Sequence, residues 1–306
     1  MNYSPAKKLQ KIFKFWGWEL MIGCLFLALY GPLIWHWFQG WLNKSIGLEH
    51  DYFNHGLIGL PFAAYLIYLN RKQWQRLPDK SQGMGGILLL ISGGLYLTNL
   101  DDLVNLSLPL MLAGLCLWLK GVPGLKLQKM PWVFISLATP HHLPYLIEPL
   151  ALPLQKFITA TAGFILNCVG VDVVIQQIYL SVDNRIVEVA AHCAGLKMLF
   201  TSLYVALMLL YWTEVGRDRW KTICFLMMTV LISISGNIFR NTLLTFFYFH
   251  HQDRLFEWLH EGWGGDVYSA GILGLLVVII NQLESGAGNY PEGAGESATV
   301  NEFNEQ

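Results

Sequence analysis

Apolar blocks alternate along the chain with short polar, basic or Gly/Pro-punctuated connections. The blocks lie at roughly 18–38, 56–69, 84–100, 106–119, 131–147, 194–212, 221–249 and 266–283. A helix needs roughly 20 apolar residues to cross a ~30 Å hydrocarbon core, and the blocks approximate that length. The pattern predicts an all-α polytopic membrane protein with about eight transmembrane helices. The second and fourth blocks are short. The fifth is broken by Pro140 and Pro144 and is expected to span only in part, whereas the seventh is long enough to extend past the bilayer. Between the fifth and sixth blocks the period changes. A helix-like stretch reaches about Val169, and then Ile178, Leu180 and Val182 alternate with Tyr179, Ser181 and Asp183. Asp183-Asn184 is a turn signal and Arg185–Val189 resumes as a strand, so a small extracytoplasmic β-hairpin is expected just before the sixth block.

Composition supports the membrane reading. The chain has 306 residues, 54% hydrophobic and 13% charged, against a charged share of about 25% in soluble domains. A soluble globule so apolar would expose too much apolar surface to stay dissolved. The net charge of −1 offers no basic field for nucleic acid. Residues 1–283 read as a single polytopic membrane domain. The Gly-, Asn- and Glu-rich segment 284–306 reads as a disordered cytoplasmic tail. Lys7, Lys8, Lys11 and Lys14 precede the first block, which reaches Phe38 and is too long for a signal-peptide core, so it is expected to be the first transmembrane helix.

Basic residues set the orientation. Besides the N-terminal lysines they cluster at Arg71, Lys72, Arg76 and Lys80, at Lys120, Lys126 and Lys129, and at Arg217, Arg219 and Lys221. Eight crossings put every cluster on one side, the cytoplasm, with both termini. The opposite side then holds the segment from Glu148 to His192, the Leu48–His55 loop and the stretch His250–Gly265.

Three outer-side residues carry chemistry. Cys193, in Ala191-His192-Cys193-Ala194-Gly195-Leu196-Lys197, is expected at the first turn of the sixth block's helix. A helix N-terminus carries partial positive charge and favours the thiolate, the nucleophilic form. Gly195 is expected to keep the turn slim for an approaching substrate backbone. The plain alternative is an interfacial cysteine with no role. Arg240, in Ser235-Gly236-Asn237-Ile238-Phe239-Arg240-Asn241, stands in a strongly apolar region, and counting back from the outer end near Phe249 puts it either below the surface or near a break at Gly236-Asn237. A cation there costs several kcal/mol or more unless solvated or paired, so it is either functional or a snorkelling interfacial side chain. His260, in Leu259-His260-Glu261-Gly262-Trp263-Gly264-Gly265, is either a general base for a thiol or an ordinary member of a Trp-rich belt. Thiolate, imidazole and guanidinium together suit attack on a peptide carbonyl. His192 is the other candidate base, although chain neighbours rarely face each other. His141 and His142 flank prolines at the outer end of the fifth block.

Cys24, Cys116 and Cys224 fall in apolar runs and read as small buried hydrophobes. With Cys168 and Cys193 they form neither a CxxC pattern nor a disulfide framework. No cofactor or metal is expected, since nothing is spaced like H-E-x-x-H and there is no P-loop, GxGxxG unit or GxSxG elbow. The Gly83–Gly86 and Gly93-Gly94 groups are expected to serve close helix packing.

These residues resemble the exosortase/archaeosortase family of multi-pass membrane transpeptidase-like enzymes. The family pattern has a Cys in a C-S-G-hydrophobic-Arg context, an Arg in an Asn-x-x-Arg context, and a downstream His followed by Gly. This chain has Cys193-Ala194-Gly195-Leu196-Lys197, Asn237-Ile238-Phe239-Arg240 and His260-Glu261-Gly262. Ala194 stands where Ser is usual and Lys197 where Arg is usual. The resemblance is best over 131–283, and the pattern is similar to that of cyanobacterial exosortases. It implies a plasma-membrane cysteine protease or transpeptidase. Its partners would be the lipid bilayer, exported proteins bearing a C-terminal sorting signal of the PEP-CTERM type, and an envelope acceptor molecule. Such a signal has a Pro-Glu-Pro-like motif, a transmembrane helix and a basic tail. Cys193 would be nucleophile, Arg240 the oxyanion or thiolate partner, and His260 the base. The competing classes are a transporter or channel, against which no inverted repeat is visible, and a non-catalytic scaffold for envelope assembly.

Overall fold

A computed structural model of the chain describes residues 5–42, 52–142, 152–182, 185–189, 195–260 and 262–285. Ten α-helices and a small sheet occur among them, and the chain forms two compact units, Met1–Ile147 and Glu148–Gln306. The first unit holds α1 (Pro5–Leu42), α2 (Gly56–Arg76), α3 (Gly83–Leu97), α4 (Asp101–Leu127) and α5 (Lys129–Ala138). The second holds α6 (Leu152–Cys168), β1 (Val174–Gln176), β2 (Tyr179–Val182), β3 (Arg185–Glu188), α7 (Leu196–Trp212), a 3-10 turn at Glu214–Arg217, α8 (Arg219–Phe249), α9 (Asp253–His260) and α10 (Trp263–Ser285).

Four described helices are long and apolar enough to cross a membrane: Met21–Leu42 within α1, then α4, α8 and α10. The apolar helices α3 and α7 are shorter. Of the eight expected crossings, four are therefore supported by length and hydropathy. The fifth block stops as a helix at Ala138, just before Pro140, because a residue preceding proline is pushed out of the α region.

Within the first unit, side-chain hydrogen bonds join helices whose surfaces are otherwise apolar. Tyr30 Oη lies 3.2 Å from Ser92 Oγ and 3.1 Å from Ser107 Oγ, and Trp37 Nε1 donates to Asn105 Oδ1 at 2.7 Å. Where lipid removes the hydrophobic drive between helices, such bonds contribute about 0.6–2 kcal/mol each. The α3 glycines divide. A Cβ on Gly85 would come within 2.4 Å of the Trp118 backbone, so this one does serve close packing, while Gly93 and Gly94 face open space.

The second unit has two cores along α8. One joins α7, α8, α10 and the 3-10 turn through Ala206, Leu210, Val215, Phe225, Leu276 and Ile280. The other joins α6 and the sheet through Ile158, Ala162, Leu166, Leu180 and Val189, with Ile238, Phe246 and Phe249 of α8 packed against it. Asp218 caps the start of α8 by accepting from Trp220 N at 2.8 Å, an ordinary N-cap. Lys221 Nζ donates to Leu283 O at 3.2 Å and ties that start to the end of α10.

The sheet is three-stranded and antiparallel, in the order β1-β2-β3. The expected hairpin is present as β2 and β3, with Val182 opposite Arg185. Asp183-Asn184 lie outside the described residues. The extra strand arises because Gln177 takes a positive φ of 56° and reverses the chain between Gln176 and Tyr179. Alternation of side chains continues through such a turn, so the pattern alone does not reveal it.

Candidate functional site

α8 runs unbroken from Arg219 to Phe249, so of the two placements the sequence left open for Arg240 the one near a break at Gly236-Asn237 is not realised. Gly236 is instead a contact point. A Cβ there would lie 2.9 Å from both Ile272 and Met198, so the missing side chain lets α7 and α10 close onto α8. Its carbonyl also accepts the Tyr268 hydroxyl at 2.6 Å. In a helix that same carbonyl faces the backbone N–H four residues on, which here belongs to Arg240.

Arg240 is half-buried. Its Nη2 donates to Leu259 O and to His260 O, both at 3.3 Å. These are the last carbonyls of α9, which lack partners within their own helix and carry the negative end of its dipole. The guanidinium therefore closes the end of α9, and Arg240 meets the backbone of His260. The His260 ring stacks on Phe256 at 5.2 Å and 12°. The residue is held inward by these bonds, which the snorkelling alternative would not require. Its Nε is buried and has no hydrogen-bond partner among the described residues. Leaving a buried donor unpaired costs about 1–3 kcal/mol, so an acceptor arriving at this atom would be stabilised.

The Trp-Gly-Gly sequence after His260 has a packing reason. A Cβ on Gly264 would fall 2.4 Å from the Trp258 ring, and one on Gly265 would be 2.8 Å from Leu259 O and 3.6 Å from Arg240 Nη2. Bare backbone at these positions lets α10 start directly against the end of α9 and beside Arg240.

α7 begins at Leu196 with Gly195 as its N-cap, in the left-handed region at φ 83°. A Cβ on Gly195 would lie 2.7 Å from the Asn237 amide. The slimness expected of Gly195 is thus used by Asn237 rather than left open to a substrate. Cys193 and His192 lie outside the described residues, two and three positions before this cap. Chain continuity still ties them to Gly195, and Asn237 stands one turn before Arg240 on α8. Asn237 is 2% exposed.

Sequence reasoning named Arg240 and His260, and the structure joins Arg240 to the main chain at His260. It cited Asn237 only as motif context and passed over Tyr268. The available signal was the i, i+3 spacing of Asn237 with Arg240 and of Gly265 with Tyr268, which places each pair on one helix face. His141 and His142 belong to the first unit. His142 Nδ1 is 2.6 Å from Asp102 Oδ1, and the His141 ring packs on Phe53 at 4.7 Å. Burial holds the His141 pKa down against the opposing Asp102 charge. Cys24 and Cys168 are exposed, and Cys116 and Cys224 are half-buried, so the expected burial fails outright for Cys24. In a lipid-facing helix an exposed apolar side chain carries no penalty. Among the described residues no group of His, Cys, Asp or Glu has the arrangement of a metal site.

No curated protein and no solved structure matches the chain. The family model for transmembrane exosortases matches residues 37–277. That match takes in most of both units, starts well before Pro131, and includes the Gly195, Asn237, Arg240 and His260 positions. The chain is a multi-pass membrane protein that belongs to the transmembrane exosortase family.

Proposed function

We propose that this exosortase is a cysteine endopeptidase and transpeptidase that cuts C-terminal sorting signals of exported proteins at the outer face of the plasma membrane. The observation that carries this reading is the meeting of Arg240 with the His260 carbonyl, beside the Asn237 that abuts Gly195. All three motif segments thus bear on one stretch of α8. In the proposed reaction, the Cys193 thiolate attacks the scissile carbonyl. The oxyanion is compensated by Arg240, whose Nε has no hydrogen-bond partner among the described residues. Protonated His260 gives its proton to the leaving amine, leaving an acyl thioester on Cys193. The acceptor nucleophile, or water, attacks the thioester and returns a proton to His260, and the thiolate leaves. His192 is the alternative base.

Helical rise supports an outer position. At about 1.5 Å per residue, Arg240 stands about 32 Å along α8 from Arg219, close to one hydrocarbon thickness. With the Arg217–Lys221 cluster cytoplasmic, Arg240 reaches the opposite interface. The full topology is eight crossings with both termini cytoplasmic. The sheet stands at the same end of α8 as Phe249, and a cavity of about 430 Å³ lined by Val171, Asp172, Val174, Val182 and Phe249 adjoins β1. The extended Pro-Glu-Pro-like motif of a substrate joins this sheet by strand addition.

The test follows a tagged substrate with a C-terminal signal in cells. Cys193→Ala and Arg240→Ala proteins are expected to reach the membrane at normal levels and to leave the substrate uncut. Unimpaired processing by Cys193→Ala ends the reading. His260→Ala and His192→Ala, compared in the same assay, identify the base by which loss is the larger.

A further inference from the structure

We infer that Trp258 and Trp263 form an interfacial anchor: an exposed pair of indoles that seats the joint between α9 and α10 in the headgroup zone of the bilayer, at the depth of Arg240. The partner is the lipid surface itself. That this surface is the outer leaflet rests on the orientation proposed above; the contact with lipid does not. α9 has three sides at helical spacing. Leu259 is buried, and Phe256 and His260 are half-buried, with Phe256 5.6 Å from the Tyr248 ring of α8. Asp253, Arg254 and Glu257 share an exposed polar flank, and Leu255 and Trp258 are exposed on the adjoining one. The exposed apolar side does not end with α9. It continues into Trp263, which is 67% exposed, and Val267 on the first turns of α10, a helix long and apolar enough to cross a membrane. A face continuous with a membrane-crossing helix meets the same lipid, and an amphipathic helix there rests its apolar side in the headgroup boundary.

The depth of the joint follows from the pairing of α8 with α10. At one end Lys221 Nζ donates to Leu283 O at 3.2 Å. Farther along, the Tyr268 hydroxyl donates to Gly236 O at 2.6 Å. At the other end Arg240 Nη2 donates to the Leu259 and His260 carbonyls, just before Trp263. The two helices are therefore antiparallel and cover the same depth. From Trp263 to Leu283, at about 1.5 Å per residue, α10 rises about 30 Å, one hydrocarbon thickness. With Lys221 and Leu283 at one interface, Trp263 stands at the other. Trp favours that zone because its ring is apolar enough to leave water while its N–H still finds a polar partner.

The pair is built as one rigid piece with the joint. The two rings meet edge to face, 5.3 Å apart at 89°. Trp258 also lies on the backbone of Gly264, where a Cβ would fall 2.4 Å from its ring. Gly262 N donates to Glu257 O at 2.9 Å, the closing bond of a Schellman turn, and Gly265 N donates to Gly262 O at 3.2 Å. The carbonyls that Arg240 holds, those of Leu259 and His260, belong to the same joint. Lipid that holds the indoles at the interface therefore holds these carbonyls, and the guanidinium on them, at that depth.

The experiment places purified full-length protein in lipid nanodiscs and compares the tryptophan emission of wild type with that of the double variant Trp258→Phe, Trp263→Phe. The difference isolates the pair from the remaining tryptophans. The quenchers are phosphatidylcholine brominated near the headgroup end of its chains, the same lipid brominated near the terminal methyl, and aqueous iodide. The difference emission is expected to be quenched at least about twofold more by the first than by either of the others. Quenching mainly by iodide places the pair in water, quenching mainly by the deep bromine places it in the hydrocarbon core, and emission untouched by all of them places it under protein; each of these overturns the anchor. If the double variant does not stay monodisperse, Trp263→Phe, which removes the more exposed ring, decides by the same comparison. None of the overturning patterns touches the enzymatic reading, and unimpaired processing by Cys193→Ala ends that reading while leaving the quenching result as it stands.

Discussion

Arg240 owes its place in an apolar helix to the geometry of its fork. One nitrogen reaches two carbonyls at the end of α9, while Nε is buried and has no hydrogen-bond partner among the described residues. A lysine ammonium has three donors, but they radiate from a single nitrogen and cannot reproduce the rigid planar fork of a guanidinium. Arg240→Lys is therefore expected to keep the charge and the fold yet lower substrate turnover by at least about tenfold; turnover equal to wild type contradicts a directional role for the guanidinium. In the first unit, His55 is buried and its Nε2 lies 3.0 Å from Leu137 O. Burial lowers its pKa from the ordinary value of 6.5, against a smaller raising effect of that carbonyl. The unfolded chain thus takes up this proton at higher pH than the folded one. The stability is fully present above about pH 6.5 and is lost as pH falls from there toward the depressed folded value. Melting in detergent from about pH 7.5 to about pH 5.5 is expected to show a shallower decline for His55→Gln than for wild type; identical slopes contradict this assignment.

The sheet and α8 are joined by Arg185. Its Nη1 donates to Tyr248 O, and its guanidinium stands 4.7 Å from the Tyr248 ring. β3 leads toward Cys193, and Tyr248 lies two turns beyond Arg240 on α8, so this contact holds the strand against the helix that bears Arg240. Arg185→Ala is expected to raise hydrogen exchange in Arg185–Glu188 at least about fivefold while α8 stays protected; unchanged exchange contradicts the latch. The helices α7, α8 and α10 were legible from hydropathy, α8 above all because a long apolar block bounded by Asp218 and His250 has few other solutions, whereas the short polar helix α9 lay in a stretch read as an interfacial loop. The third strand was not legible, since the reversal depends on Gln177 adopting a positive φ, for which its residue type gives no signal. A break at Gly236-Asn237, one of the two placements open from the sequence, would suit the intrinsic weakness of glycine in helices. Tertiary packing by Met198, Ile272 and Tyr268 outweighs that weakness of about 1 kcal/mol.

The whole chain divides into two units, yet the exosortase match begins in the first, at residue 37. The sequence motifs pointed only to 131–283, because polar landmarks such as Cys193, Arg240 and His260 stand out while an apolar helix resembles any other. The first unit carries its own specificity in buried polar contacts such as Tyr30 with Ser92 and Ser107, which hydropathy averages away. Tyr30→Phe leaves hydropathy nearly unchanged and is expected to destabilise by about 0.5–1.5 kcal/mol, read as a lower melting temperature in detergent. Unchanged melting contradicts a structural value for that hydroxyl.

The proposed chemistry needs Cys193 to be ionised and reachable from outside the cell. A membrane-impermeant thiol reagent applied to intact cells reads both properties at once, with Cys193→Ser as the control for Cys24, Cys116, Cys168 and Cys224. The expected result is fast labelling that is lost in Cys193→Ser and whose pH midpoint lies below the ordinary thiol value of about 8.5. Labelling that needs permeabilised cells, or that proceeds with an unshifted midpoint, contradicts it.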